Sequence, residues 1–139
     1  MLYKTIISVD DLKNNLNNDD FLIFDSRCDI KDSGYGIDSY TEGHIPNSIF
    51  VDVDTDLASE KRPGTGRHPL PDPNTFSEKL SHWGMSNNKQ VVVYDDAGGA
   101  FAGRLWWMLK WLGHEAVAVL DGGLNSWVKG GNKLVTTPT

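Results

Sequence analysis

Apolar residues along this chain fall into short blocks separated by polar, glycine- or proline-bearing stretches. Phe21-Leu22-Ile23-Phe24 and Val91-Val92-Val93-Tyr94 are continuous apolar runs, as expected of strands covered on both faces. Shorter β-prone stretches at residues 3–7, 48–51 and 116–120 bring the expected total to about five strands. Helical signals fall between them. Ser8-Val9-Asp10-Asp11 places a serine three residues before an acid and predicts a helix to about Leu16. Phe76, Leu80 and Trp83 share a helical spacing, so residues 74–83 read as a helix stopped by Gly84. Residues 102–112 form a strongly apolar helical stretch ended by Gly113, and a last helix runs through Trp127 and Val128 to Gly130-Gly131.

The remaining segments read as connections. Residues 28–39 are polar and contain glycine, so a loop is expected, followed by a short turn of helix at Tyr40-Thr41-Glu42-Gly43-His44-Ile45-Pro46. Residues 52–72 form a long loop carrying Arg62, Arg67 and His68, of a length usually reserved for function or partner contact. Strands alternating with helices predict an α/β fold: a central, mostly parallel sheet with helices on both faces. One domain is expected over residues 1–132, with 133–139 as a tail or the start of an interdomain linker.

Composition narrows the function classes. The chain has 139 residues and a net charge of −6, and no basic stripe of the kind a nucleic-acid binder carries. No stretch approaches the roughly 20 apolar residues of a membrane span. Residues 1–11 lack a basic segment followed by an apolar one, so no secretory signal is expected. A single cysteine cannot form an internal disulfide, which fits a cytoplasmic location. Neither nucleic acid nor membrane is expected as a partner. Four scattered histidines and one cysteine have no metal-ligand spacing, so neither metal nor cofactor is expected.

In open α/β sheets, ligands bind beyond the carboxyl ends of the strands. Three loops qualify here, opening at Asp25, Asp52 and Asp95. The loop from Asp95 to Gly99 is the most informative. A strand, a loop of small residues and a helix N-terminus together make a cradle of backbone N–H groups suited to an anion or a thiolate. Its opening residue is an aspartate followed by Asp96. The simplest role for either acid is to cap the next helix or bond the loop's own amides. Cys28 follows Asp25-Ser26-Arg27, not a glycine-rich cradle, and reads as a packing or surface residue.

Several of these segments resemble rhodanese signatures. Tyr40-Thr41-Glu42-Gly43-His44-Ile45-Pro46-Asn47-Ser48 resembles the family's aromatic-led His-Ile-Pro-Gly-Ala segment, departing at Asn47 and Ser48. Asp25-Ser26-Arg27 looks like its Asp-x-Arg strand end. Leu120-Asp121-Gly122-Gly123-Leu124 is similar to its closing aromatic-Asp-Gly-Gly-aromatic segment, with leucines in place of the aromatics. Gly66-Arg67-His68-Pro69-Leu70-Pro71 and Ala102-Gly103-Arg104-Leu105-Trp106-Trp107-Met108-Leu109 resemble the N-terminal domain of tandem thiosulfate or 3-mercaptopyruvate sulfurtransferases.

That resemblance implies a rhodanese-like fold and places Asp95 where the family's catalytic domain has cysteine. The chain alone would then have no catalytic residue. It would help shape a site shared with a second, cysteine-bearing rhodanese domain of the same parent chain, which would act on a small sulfur donor and acceptor. The resemblance also matches Asp54 and His68 to residues that assist the other domain's cysteine; a place in the loop's own hydrogen-bond network is the other reading. Arg67 would attract an anionic donor. His44 would be structural, fixing its turn. The alternative is a stand-alone, catalytically inactive rhodanese-like binding or regulatory module. A phosphatase-like relative of the same fold would equally need a cysteine at Asp95.

Overall fold

The structure is a computed structural model that describes residues 3–29, 31–32, 34–53, 73–86 and 88–137. Arg67 and His68, Asp54 before them, and the rest of the loop at 54–72 lie outside the described residues.

Five strands, β1 (Ile6–Ile7), β2 (Phe21–Asp25), β3 (Ser48–Phe50), β4 (Gln90–Tyr94) and β5 (Val117–Leu120), form one sheet in the order β1-β5-β4-β2-β3. Among the described residues, every strand pairing within this sheet is parallel. The helices are α1 (Val9–Asn14), α2 (Tyr35–Glu42), α3 (Pro73–His82), α4 (Ala102–Trp111) and α5 (Gly123–Lys129). The expected serine cap is present: the Ser8 side chain accepts from the Asp11 N–H at 3.1 Å.

The alternation of side chains along each strand divides the core in two. Phe24, Val91, Val93 and Val117 point to one face and pack with Phe76 and Leu80 of α3 and with Ala102, Leu105, Met108 and Leu109 of α4. Ile23, Val92, Tyr94, Ala118 and Leu120 point to the other and pack with Leu12 of α1 and with Leu124 and Trp127 of α5. The apolar runs at β2 and β4 are continuous because both faces of the sheet are covered.

The aromatic helix α4 sorts its tryptophans by direction, since neighbouring helical residues diverge by about 100°. Trp106 is half-buried against the first core and donates its indole N–H to the Lys4 carbonyl at 3.0 Å. Trp107 and Trp111, one turn apart, remain 47% and 43% exposed and stack on each other at 6.1 Å. Among the described residues no helix is long and apolar enough to cross a membrane.

One element departs from the sequence expectation. The segment 28–39 is not all loop: α2 begins at Tyr35 and includes buried Gly36 and Tyr40. Glycine suggests a loop locally, but here it permits close packing. A Cβ at Gly36 would lie 2.3 Å from the Arg27 carbonyl oxygen and 2.9 Å from the Phe50 ring. Within the tail, Val135 pairs with His44 by two backbone hydrogen bonds of 2.9 and 2.8 Å.

Candidate functional site

The carboxyl ends of the central strands lie level: Asp25 of β2 pairs with both Phe50 of β3 and Tyr94 of β4. From β2 the chain proceeds to β3 on one side, and from β4 to β5 on the other. The loops after β2 and β4 therefore diverge, which opens a crevice between them. Asp25 and Asp95 both lie at this edge, as the sequence suggested, and Asp52 follows the end of β3.

Asp25 is fully buried, and its carboxylate is committed to the protein. It accepts from the Arg27 backbone N–H at 3.0 Å, from Arg27 Nη2 at 2.7 Å and from the Tyr94 hydroxyl at 2.8 Å. Arg27 Nη2 also donates to the Gly43 carbonyl at 2.7 Å. Burial disfavours the Arg27 charge, but hydrogen bonding and Coulomb attraction to Asp25 outweigh it and hold the guanidinium above its ordinary value. Tyr94 lies within 3.0 Å of the Ser48 hydroxyl and accepts from the Ile45 N–H at 3.1 Å. Burial, followed by the neighbouring Asp25 charge, pushes its ionisation well up. This group is a polar pillar beneath the crevice, built on the buried Asp25 carboxylate.

The Asp95 loop forms the expected cradle, and its contents are clear. Gly98 and Gly99 have φ of +71° and +93°, a region open to glycine at little cost, and the chain here turns its amides inward. The N–H groups of Ala97 and Gly99 donate to Asp95 Oδ1 at 3.0 and 2.9 Å. Those of Phe101 and Ala102, at the start of α4, donate to Oδ2 at 2.9 and 2.8 Å. The protein's own carboxylate, 1% exposed, thus occupies the cradle. Bonding to the loop's own amides, the simplest role read from the sequence, is the arrangement found.

Asp96 points elsewhere. It accepts a short hydrogen bond from the Tyr35 hydroxyl, which that bond, and then burial, shifts upward in ionisation. Tyr35 and Asp96 line a cavity of about 470 Å³ with Cys28, Asp29, Lys31 and Phe101. Cys28 also packs against the first core cluster, which agrees with its reading as a packing residue. The sequence reading missed Tyr35, because it lay in the segment taken for loop and its partner is 61 positions away. His44 is fully buried and bonds main-chain carbonyls at both ring nitrogens.

A parallel sheet with a β4–α4 loop wrapped around one buried carboxylate defines an α/β domain with a filled cradle at the carboxyl edge of its sheet. The chain belongs to the rhodanese-like domain family, whose model matches residues 8–130. It is 45% identical over 128 residues to the "Probable 3-mercaptopyruvate sulfurtransferase" of Pseudomonas aeruginosa, covering 91% of this chain and 45% of the relative. It superposes on 3-mercaptopyruvate sulfurtransferase from Leishmania major with a TM-score of 0.88 and 31% identity, over 98% of this chain and 37% of that one. With SseA of Escherichia coli, described as a 3-mercaptopyruvate sulfotransferase, the TM-score is 0.82 at 30% identity, over 99% of this chain and 52% of that one. It is therefore a rhodanese domain of sulfurtransferase type, spanning less than half of the Pseudomonas relative's length.

Proposed function

We propose that this chain is the N-terminal, non-catalytic domain of a thiosulfate or 3-mercaptopyruvate sulfurtransferase, with Asp95 standing where the catalytic domain of the family has cysteine. The carrying observation is the Asp95 carboxylate bonded to the N–H groups of Ala97, Gly99, Phe101 and Ala102. Family chemistry moves a sulfane sulfur from a donor onto a cysteine thiolate, and then from the persulfide to a thiophilic acceptor. A carboxylate cannot form the persulfide, and a buried negative charge repels an anionic donor. The length of the relatives supports a second, cysteine-bearing domain in the parent protein. The exposed Trp107–Trp111 pair is apolar surface of the kind that marks an interface.

In this reading, Asp54 and His68 assist the second domain's cysteine and Arg67 draws in the anionic donor. Histidine suits proton exchange near neutral pH, and arginine suits oxyanions. The test is the parent reading frame. It is expected to encode a second rhodanese repeat with a cysteine-led loop after Thr139; a frame stopping there would overturn the proposal.

A further inference from the structure

After α5 the chain doubles back. Asn132 bonds the Trp127 carbonyl through its side-chain amide at 3.1 Å, and the Trp127 indole N–H donates to the Lys133 carbonyl at 3.0 Å. Leu134 then lies against Gly43, where a Cβ would come within 3.3 Å of it. Next, Val135 and His44 exchange their two backbone bonds. The His44 ring completes the attachment: Nδ1 is 2.7 Å from the Tyr40 carbonyl oxygen and Nε2 is 2.9 Å from that of Thr137.

Both partners are main-chain carbonyls, which only accept. A neutral imidazole has one N–H and can serve one of them; the doubly protonated ring donates to both. A neutral ring would turn a nitrogen lone pair toward a carbonyl oxygen, and His44 is 0% exposed, so water has little access to separate them. The nearest charged side chain on the other side of the turn is Arg27, whose guanidinium bonds the Gly43 carbonyl at 2.7 Å. Asp25 offsets the Arg27 charge through its 2.7 Å ion pair.

His44 follows the C-terminal end of α2, where the helix dipole favours a cation. Tyr40 presents a carbonyl whose bond comes from the ring, because the His44 backbone N–H goes to Val135. The Tyr40 ring stacks flat on the imidazole at 3.7 Å and 4°, placing its π-face against the charge. From β4, the Tyr94 hydroxyl is engaged by Asp25, Ser48 and the neighbouring Ile45 N–H. Glu42 at the end of α2 and Lys133 on the returning segment are exposed and add little.

We propose that His44 is a proton-dependent clasp that fastens residues 133–137 to the end of α2. The inference does not depend on the sulfur-transfer reading. With both ring nitrogens protonated, the clasp is closed. Loss of one proton keeps the shorter bond to Tyr40 and releases Thr137, so the segment is held more weakly as pH rises. Proton and docked segment stabilise each other, and docking strengthens as pH falls.

The test is nuclear magnetic resonance on the ¹⁵N-labelled chain from about pH 5 to about pH 8, the span over which histidine ordinarily titrates. Two protonated ring nitrogens are expected at the acid end. The exchange protection of the Val135 amide, corrected for intrinsic rates, should fall about tenfold as one proton leaves, equivalent to about 1.4 kcal/mol. The Val92 amide of β4 should not follow it. In His44→Gln the protection of Val135 should be independent of pH. A ring with a single proton throughout, while Val135 stays protected, overturns the proposal. So does parallel loss of protection at Val135 and Val92, or an unchanged pH response in His44→Gln. Should that variant not fold, the ring nitrogens and amides of the wild-type chain decide the question.

Discussion

Removing the Asp95 carboxylate tests the filled cradle. Asp95→Ala would leave the N–H groups of Ala97, Gly99, Phe101 and Ala102 without their acceptor. An unsatisfied buried donor costs about 1–3 kcal/mol, so four together have a ceiling of about 12 kcal/mol. The actual loss is smaller, because Ala97 is exposed and Gly99 and Phe101 are half-buried, which lets water reach part of the loop. We expect about 3–5 kcal/mol, a large fraction of a small domain's stability. Urea denaturation should show a lower midpoint with little change in slope. The emptied cradle at the start of α4 should then accept an anion, so sulfate should raise the melting temperature of Asp95→Ala more than that of wild type. A loss below about 1 kcal/mol, with no differential effect of sulfate, would refute the reasoning.

Three further outcomes follow. Gly36→Ala forces a methyl to within 2.3 Å of the Arg27 carbonyl oxygen and should cost about 1–3 kcal/mol, read by denaturant midpoint. The Tyr94 hydroxyl ionises less readily in the folded chain than in the unfolded one, so the folded state retains the proton longer. Stability should therefore be intact below about pH 10 and decline above it, and Tyr94→Phe should flatten that decline while lowering stability at neutral pH. In the parent protein, His68→Ala should reduce sulfur transfer and leave the melting temperature nearly unchanged; full activity would remove the assisting role.

The legible parts of the fold are those encoded locally. Runs such as Val91-Val92-Val93-Tyr94 announce covered strands, and the serine ahead of Asp11 announces a capped helix. Asp25 and Asp95 could be placed at one edge because strand–helix alternation dictates parallel pairing, which brings the carboxyl ends together. Long-range features were not visible. Gly36 looks like a loop residue until the Arg27 carbonyl and the Phe50 ring are placed against it. The Tyr35–Asp96 pair and the His44–Val135 pairing join residues far apart in sequence, and no periodicity signals them. The acceptor role of Asp95 was legible as a helix-capping or loop-bonding possibility, but its commitment to amides on both sides of the loop required the geometry.

We propose that this chain transfers no sulfur by itself, because the Asp95 carboxylate fills the cradle at the start of α4. The most direct measurement is thiosulfate:cyanide sulfurtransferase activity of the purified chain, alongside its Cys28→Ser variant and a buffer control. The account predicts that neither protein exceeds the control. Turnover that survives Cys28→Ser would contradict the placement of Asp95, and turnover abolished by it would move the chemistry to Cys28 in the cavity beside Tyr35.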